Sequence, residues 1–474
     1  MSTIDTIAIV GYFVLVLAIG VQTMRRIKTP SDFSVAGHRI IWPVLFATLA
    51  ATFLGGGATI GRAGESFNVG YAFAVAACAF PIQTILVGTF IAPRLKRYPD
   101  AETVGDVMAI HYGKPARLLT GIISIVYSTG VLGAQALALG TIFHTIIGTS
   151  VTTGIVIGMV FILIYSTAGG MWADVQTDVL QFLMLGTFLP LALILGVREA
   201  GGVEGLVNAL PDGHLELFGT YDVMAFLGIF LAFLLGESLI PPYTQRALSA
   251  PDASHARKGY ALAGVFGFFF YFVSASLGLV ALVLFPDISS DQALPTIVRE
   301  VLPIGIAGLV AAALLAVVMS TADSLLNSAT VVFAKDIYKS FIDPDISHRK
   351  MLWLERGVNV TIGLGASVFA LTAESIVDAL LYSYALWAPT VIIPFVLAVL
   401  TRLSAPYAAT SAMVAGGVAT GIWTWGLGEP HGITGLMVGL AANAVTFALV
   451  YLGIDKHHSV TDKNRSVVTT EATK

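Results

Sequence analysis

The chain has 474 residues, is 56% hydrophobic and 11% charged, and carries a formal net charge of −4. That is too little polar surface to cover a water-soluble globule of this size, and no basic stripe points to a nucleic-acid partner. The lone cysteine, Cys78, excludes an intrachain disulfide and any Cys-x-x-Cys metal site, and reads as a small packed residue.

Apolar runs of about 20 residues recur along the chain, each long enough to cross a hydrocarbon layer roughly 30 Å thick as a helix. They lack the ten-residue alternation of a membrane barrel. In chain order they predict spans near 5–24, 42–66, 71–93, 118–147, 151–170, 179–197, 223–245, 259–285, 303–334, 352–372, 376–401, 404–426 and 432–454. The expectation is an all-α polytopic membrane protein of about 13 transmembrane helices. The first run follows an acidic start, Met1 to Asp5, and has no small-residue cleavage pattern after it, so it is expected to be retained. Segments 25–41, 94–117, 246–258, 335–356, Arg402 and the tail after 455 hold 4, 5, 3, 5, 1 and 4 of the 25 Lys and Arg residues. The positive-inside rule therefore puts the N-terminus outside and the C-terminus in the cytoplasm. The polar stretch 456–474 is expected to be a disordered cytoplasmic tail.

Two spans carry helix breakers. The second contains Ala51-Thr52-Phe53-Leu54-Gly55-Gly56-Gly57, and three adjacent glycines disfavour a continuous helix. The seventh contains Gly236-Glu237-Ser238-Leu239-Ile240-Pro241-Pro242, where the prolines remove backbone donors. Unwound backbone survives in a membrane where it lines a polar cavity or is buried in protein, and a pair of such breaks five spans apart points to an inverted repeat with a site at the midplane. The alternative is close helix packing on small residues. In the span 303–334, Val317, Ser320, Thr321, Ser324 and Ser328 share one helical face. Such a stripe suits a hard cation, which prefers hydroxyl and carbonyl oxygen, and equally suits interhelical hydrogen bonding.

Three stretches carry a family resemblance. Gly169-Gly170-Met171-Trp172-Ala173-Asp174-Val175-Gln176-Thr177-Asp178-Val179-Leu180-Gln181 resembles the GG-x-x-A-V-x-x-T-D-x-x-Q signature of the sodium:solute symporter family. Met319-Ser320-Thr321-Ala322-Asp323-Ser324 with Leu325-Leu326-Asn327-Ser328 is similar to its second signature, and Ser31 to Arg39 resembles its S-x-D-F-x-x-A-G-R segment. Gly55 to Gly57, Gln245-Arg246 and Met319 to Tyr338 look most like the choline-transporter branch, but Phe53, Val131 and Ile240 stand where that branch has the tryptophans of its aromatic cage.

The resemblance implies a LeuT-type core of two inverted five-helix repeats, 42–197 and 223–402. Residues 1–41 would form an extra helix and loop before this 42–402 core, and 403–455 two extra helices after it. It implies Na+ as the coupling ion, held by backbone carbonyls of Ala51, Leu54 and Val317 and hydroxyls of Ser320 and Thr321. Some members bind a second cation where Asp178, Asp323 and Ser324 stand here, and Asp178 or Asp323 could instead carry a proton.

For the solute, the residues at the two breaks and in the neighbouring span are the candidates: Phe53, Gly56, Gln135, Glu237 and Ile240. Glu237 at membrane depth admits three roles, attracting an amine, carrying a proton, or pairing with Arg62. A free Arg62 would favour a carboxylate, and Arg62 with Glu65 could equally face water at the end of their span. Asp178 could also serve as a cap at a helix start. No nucleophile, base and orienter set stands out, so no enzyme is expected. The expectation is sodium-coupled import of a small polar solute, an amino acid, betaine, amine or carboxylate, across the plasma membrane, with no obligate protein partner. Proton coupling on the same fold and a passive channel are the rivals.

Overall fold

The computed structural model describes residues 2–24, 30–237 and 239–456, so the expected tail beyond Lys456 lies outside the described residues. Among the described residues there are helices, turns and no strand. That follows from solvent: in hydrocarbon a backbone must satisfy its own polar groups, and a helix does so within one segment.

The elements needed below are α1 (Thr3–Met24), α2 (Trp42–Phe53), α3 (Arg62–Val69), α4 (Tyr71–Leu95), α5 (Val104–Ile142) and α6 (Val151–Glu199). They continue with α7 (Val223–Leu231), α8 (Pro241–Ser249), α9 (Ala253–Leu284), α10 (Ile306–Val332) and α11 (His348–Ala370). The last are α12 (Ile376–Trp387), α13 (Pro406–Gly421) and α14 (Gly435–Val450). Among the described residues, eight helices are long and apolar enough to cross a membrane, or up to ten if each bent pair is one span. The expected thirteen is larger because it also counts the 151–170 stretch, whose apolar part is the short helix Val151–Ile164, together with α11 and α13, which fall outside those ten. The predicted spans 151–170 and 179–197 lie on two helical segments that meet at a kink at Gly170, whose φ of 50° and ψ of −166° are not helical.

Both predicted interruptions are present. Between Trp42–Phe53 and Gly57–Val69 the axis bends by 61°, and between Val223–Gly236 and Pro241–Ser249 by 41°. Leu54 ends α2 at φ −99°, ψ 33°. At the second break Leu239 takes φ +56°, a left-handed value uncommon for a bulky residue, and Ile240 is extended before Pro241 and Pro242 open α8. The Thr244 hydroxyl donates to the Leu239 carbonyl at 2.8 Å, supplying a partner for a backbone group at the break. At the centre lies α10, whose residues are almost all buried, packed against α1, α5 and α6.

Candidate functional site

The first break is pressed against the hydroxyl face of α10. The Thr321 hydroxyl donates to the Thr52 carbonyl at 3.0 Å, and Ser320 donates to the Asp178 carboxylate. A hydroxyl whose proton is committed to an acceptor keeps its lone pairs for a cation. Ala51, Leu54, Val317 and Ser320 are fully buried and Thr321 is nearly so, so the five predicted sodium ligands lie on two packed segments of the protein interior. Their chemistry, oxygen without thiolate or imidazole, suits a hard cation.

Behind them is a charged group that the sequence alone did not assign. Arg246 of α8 sends Nη2 to Asp178 Oδ2 at 2.9 Å and to the Ser324 hydroxyl at 2.6 Å, and Nε to the Thr48 hydroxyl at 2.9 Å. Thr48 also donates to Asp178. Arg246 and Asp178 are 1% and 0% exposed, so this ion pair is dry. Of the three residues expected around a second cation, Asp178 and Ser324 thus both touch a guanidinium, and Asp323 is buried beside Ser324 with an oxygen 3.4 Å from its hydroxyl. Arg246 lies one helical turn after the Pro-Pro pair, and its reach to Asp178 is not a matter of spacing in the chain.

Next to the break is a small cavity of about 20 Å³, room for a water molecule and too narrow in this conformation for an organic solute. Thr52, Gly55 and Thr321 line it as well as the ion region, so the two adjoin. Of the predicted solute residues, Phe53, Gln135 and Glu237 line the cavity. Gly56 is one step away, its amide donating to Gln135 Oε1 at 2.7 Å, and Ile240 is buried beyond the lining. Val131, Phe233, Tyr271, Leu380 and Tyr384 complete much of the wall, and Arg62 joins them. Arg62 is therefore a buried residue, 1% exposed, and does not face water at the end of its span. Glu237 is not bound to Arg62 but to two phenols: Tyr243 donates to Oε1 at 2.6 Å and Tyr384 to Oε2 at 2.7 Å. Tyr243 follows the Pro-Pro pair directly and was open to inference on that ground. Tyr384 and Tyr271 come from helices far along the chain, and no local signal marks them.

The geometry can be set beside known proteins. The profile of the sodium:solute symporter family matches residues 33–416. The chain is 28% identical over 427 residues to the sodium/glucose cotransporter of Vibrio parahaemolyticus, covering 80% of this chain and 76% of that one. It is 27% identical over 413 residues to the human high affinity choline transporter 1, covering 80% and 69%. Against the mouse sodium/myo-inositol cotransporter 2 the identity is 27% over 413 residues, covering 75% of this chain and 59% of the relative. Among solved structures, a Na+-coupled sialic acid symporter superposes with a TM-score of 0.79 at 19% identity, covering 94% of this chain and 98% of that one. Mhp1, a nucleobase-cation-symport-1 family transporter, gives 0.59 at 17% identity, covering 90% and 96%. The fold is that of the LeuT-fold transporters.

Proposed function

Since the chain belongs to the sodium:solute symporter family, we propose that it is a multi-pass plasma-membrane symporter that uses sodium to import a small polar organic solute by alternating access. The observation that carries this is the junction of the Gly-disrupted end of α2 with the Ser/Thr face of α10, where Thr321 bonds the Thr52 carbonyl. Sodium entering from outside would bind there through the carbonyls of Ala51, Leu54 and Val317 and the hydroxyls of Ser320 and Thr321, tying a bent segment to the central helix. The solute then binds in the adjoining cavity. Coupling requires that ion and solute favour the same state, because a ligand shifts an equilibrium by its differential affinity and no more. The sodium gradient and an interior-negative potential, worth about 2.3 kcal/mol per charge per 100 mV, drive uptake.

The Arg246 guanidinium on Asp178 would occupy the second cation position expected from the resemblance, with a cation of the protein itself. This favours one sodium per cycle and counts against Asp178 as a proton carrier, since its carboxylate is already charge-paired and hydrogen-bonded. Orientation by the positive-inside rule, with the N-terminus outside, is part of the same reading.

The test is sodium-dependent stabilisation of the purified protein, compared in NaCl and KCl at equal ionic strength. Binding to the native state alone raises stability by about 2.7 kcal/mol at a hundred times Kd. Ser320→Ala combined with Thr321→Ala should weaken the sodium response at least tenfold while the protein still folds. A response that follows pH and ignores sodium would favour proton coupling instead.

A further inference from the structure

Two opposite charges line one cavity without pairing. The guanidinium carbon of Arg62 lies 3.1 Å from the Tyr271 ring centroid, with the Phe233 and Phe73 rings at 5.7 and 6.0 Å. Stacking engages the face of the guanidinium and leaves its edge. On that edge Nε and Nη1 are buried and have no hydrogen-bond partner. Across the cavity, the two oxygens of Glu237 each accept one phenol hydroxyl. Among the described residues Arg62 forms no ion pair, although it shares the cavity wall with a carboxylate.

In a low-dielectric interior an arginine and a glutamate free to move would close on one another. Here each is restrained by aromatic side chains, Arg62 by Tyr271 and Phe233 and Glu237 by Tyr384 and the nearby Tyr243. A buried cation with unspent donors is unfavourable, and an acceptor arriving in the cavity removes that penalty. Glu237 also has capacity left, since a carboxylate offers about four lone-pair sites and the phenols take two.

We propose that the cavity, widened from its present volume of about 20 Å³ when the transporter opens, takes a zwitterion: the transported solute is a small amino acid or N-methylated amino acid whose carboxylate binds the free N–H groups of Arg62 and whose cationic nitrogen faces Glu237. This names the solute class of the symport proposed above and rests on that reading. A monocarboxylate would satisfy Arg62 but sit against the charge of Glu237; an amine would do the reverse, and a sugar would meet neither charge. Phe53, Val131, Phe233 and Leu380 supply the apolar wall for a short side chain.

The experiment is a thermal-shift panel on the purified full-length protein in NaCl and in KCl. The probes are the twenty standard L-amino acids and glycine betaine, then acetate, pyruvate and lactate, then ethanolamine and choline, then glucose. Expected is a melting-temperature increase of several degrees with one or more zwitterions in NaCl alone, and no increase with the other classes. Arg62→Lys should raise the half-saturating concentration at least tenfold. Glu237→Gln should exchange class, losing zwitterion binding and gaining a response to a monocarboxylate, which a purely structural glutamate would not do. If Arg62→Lys does not fold, the Glu237→Gln panel decides alone. A sodium-dependent response of the parent to monocarboxylate, amine or glucose, or sodium stabilisation with no zwitterion response, overturns the zwitterion assignment and leaves symport standing. Equal responses in NaCl and KCl overturn the symport reading itself.

Discussion

Arg246 has the most at stake of any single side chain outside the cavity, because its guanidinium satisfies Asp178, Ser324 and Thr48 at once in a dry environment. Removing one partner of a buried pair leaves an uncompensated charge and costs about 3–5 kcal/mol, whereas removing both with apolar replacements is close to neutral. Arg246→Met should therefore unfold at markedly lower denaturant, and Arg246→Met with Asp178→Leu should recover most of the loss. Where Arg246→Met still folds, its sodium dependence should be steeper than the parent's, as the carboxylate becomes open to a second ion; an unchanged Hill slope would sink the idea that the arginine holds that position. At this scale the sequence was informative where chemistry is local. Ser320 and Thr321 were legible from helical spacing, and Glu237 from its depth between breakers. Arg62 stacked on Tyr271, Tyr384 on Glu237 and Arg246 on Asp178 were not, because each pairing is made by tertiary packing between residues 68 to 209 positions apart in the chain.

The breaks are the elements on which the rest turns, and the glycines of the first are required by proximity. A Cβ on Gly55 would lie 2.8 Å from Thr321 Cβ and 2.9 Å from Gln135 Oε1. Real Cβ atoms do not approach so closely, so Gly55→Ala must push α2 away from α10. It should reduce sodium stabilisation at least tenfold, while Gly11→Ala on the exposed side of α1, with nothing within 4 Å, should leave it unchanged. Equal sodium responses in the two variants would separate this junction from ion binding. The positions of both breaks were legible from glycine and proline chemistry. The spans were harder to count. α11 opens on polar and basic residues, and the part of α6 before the Gly170 kink has a short apolar stretch, so apolar length alone divides the chain differently from helical geometry.

For the molecule as a whole, the α3 half of the broken span is held against the loop at Ser290–Gln292. Gly64 packs against the Ser290 carbonyl, and Asp291 Oδ2 accepts the Ile376 amide at the start of α12, 3.3 Å away. Burial pushes the Asp291 carboxyl up to about 6, the amide of Ile376 opposing and Asp378 adding to it. An acid whose folded value is raised is favoured protonated, so this packing is most stable below the unfolded value near 4 and weakens as pH rises through 6. Asp291→Asn should be more stable than the parent at pH 7, with the difference vanishing below pH 4, as read by melting temperature; a difference independent of pH would exclude this origin.

On the proposed cycle, the guanidinium resting on Asp178 would also limit how far the molecule can concentrate its cargo. With the proposed single mobile ion and a solute of no net charge, each turnover would move a single positive charge. A tenfold sodium ratio and 100 mV together then support an accumulation on the order of 500-fold. An ion that cannot leave contributes nothing to that work, so exchanging arginine for a second exchangeable sodium would roughly square the attainable gradient and double the current per molecule imported.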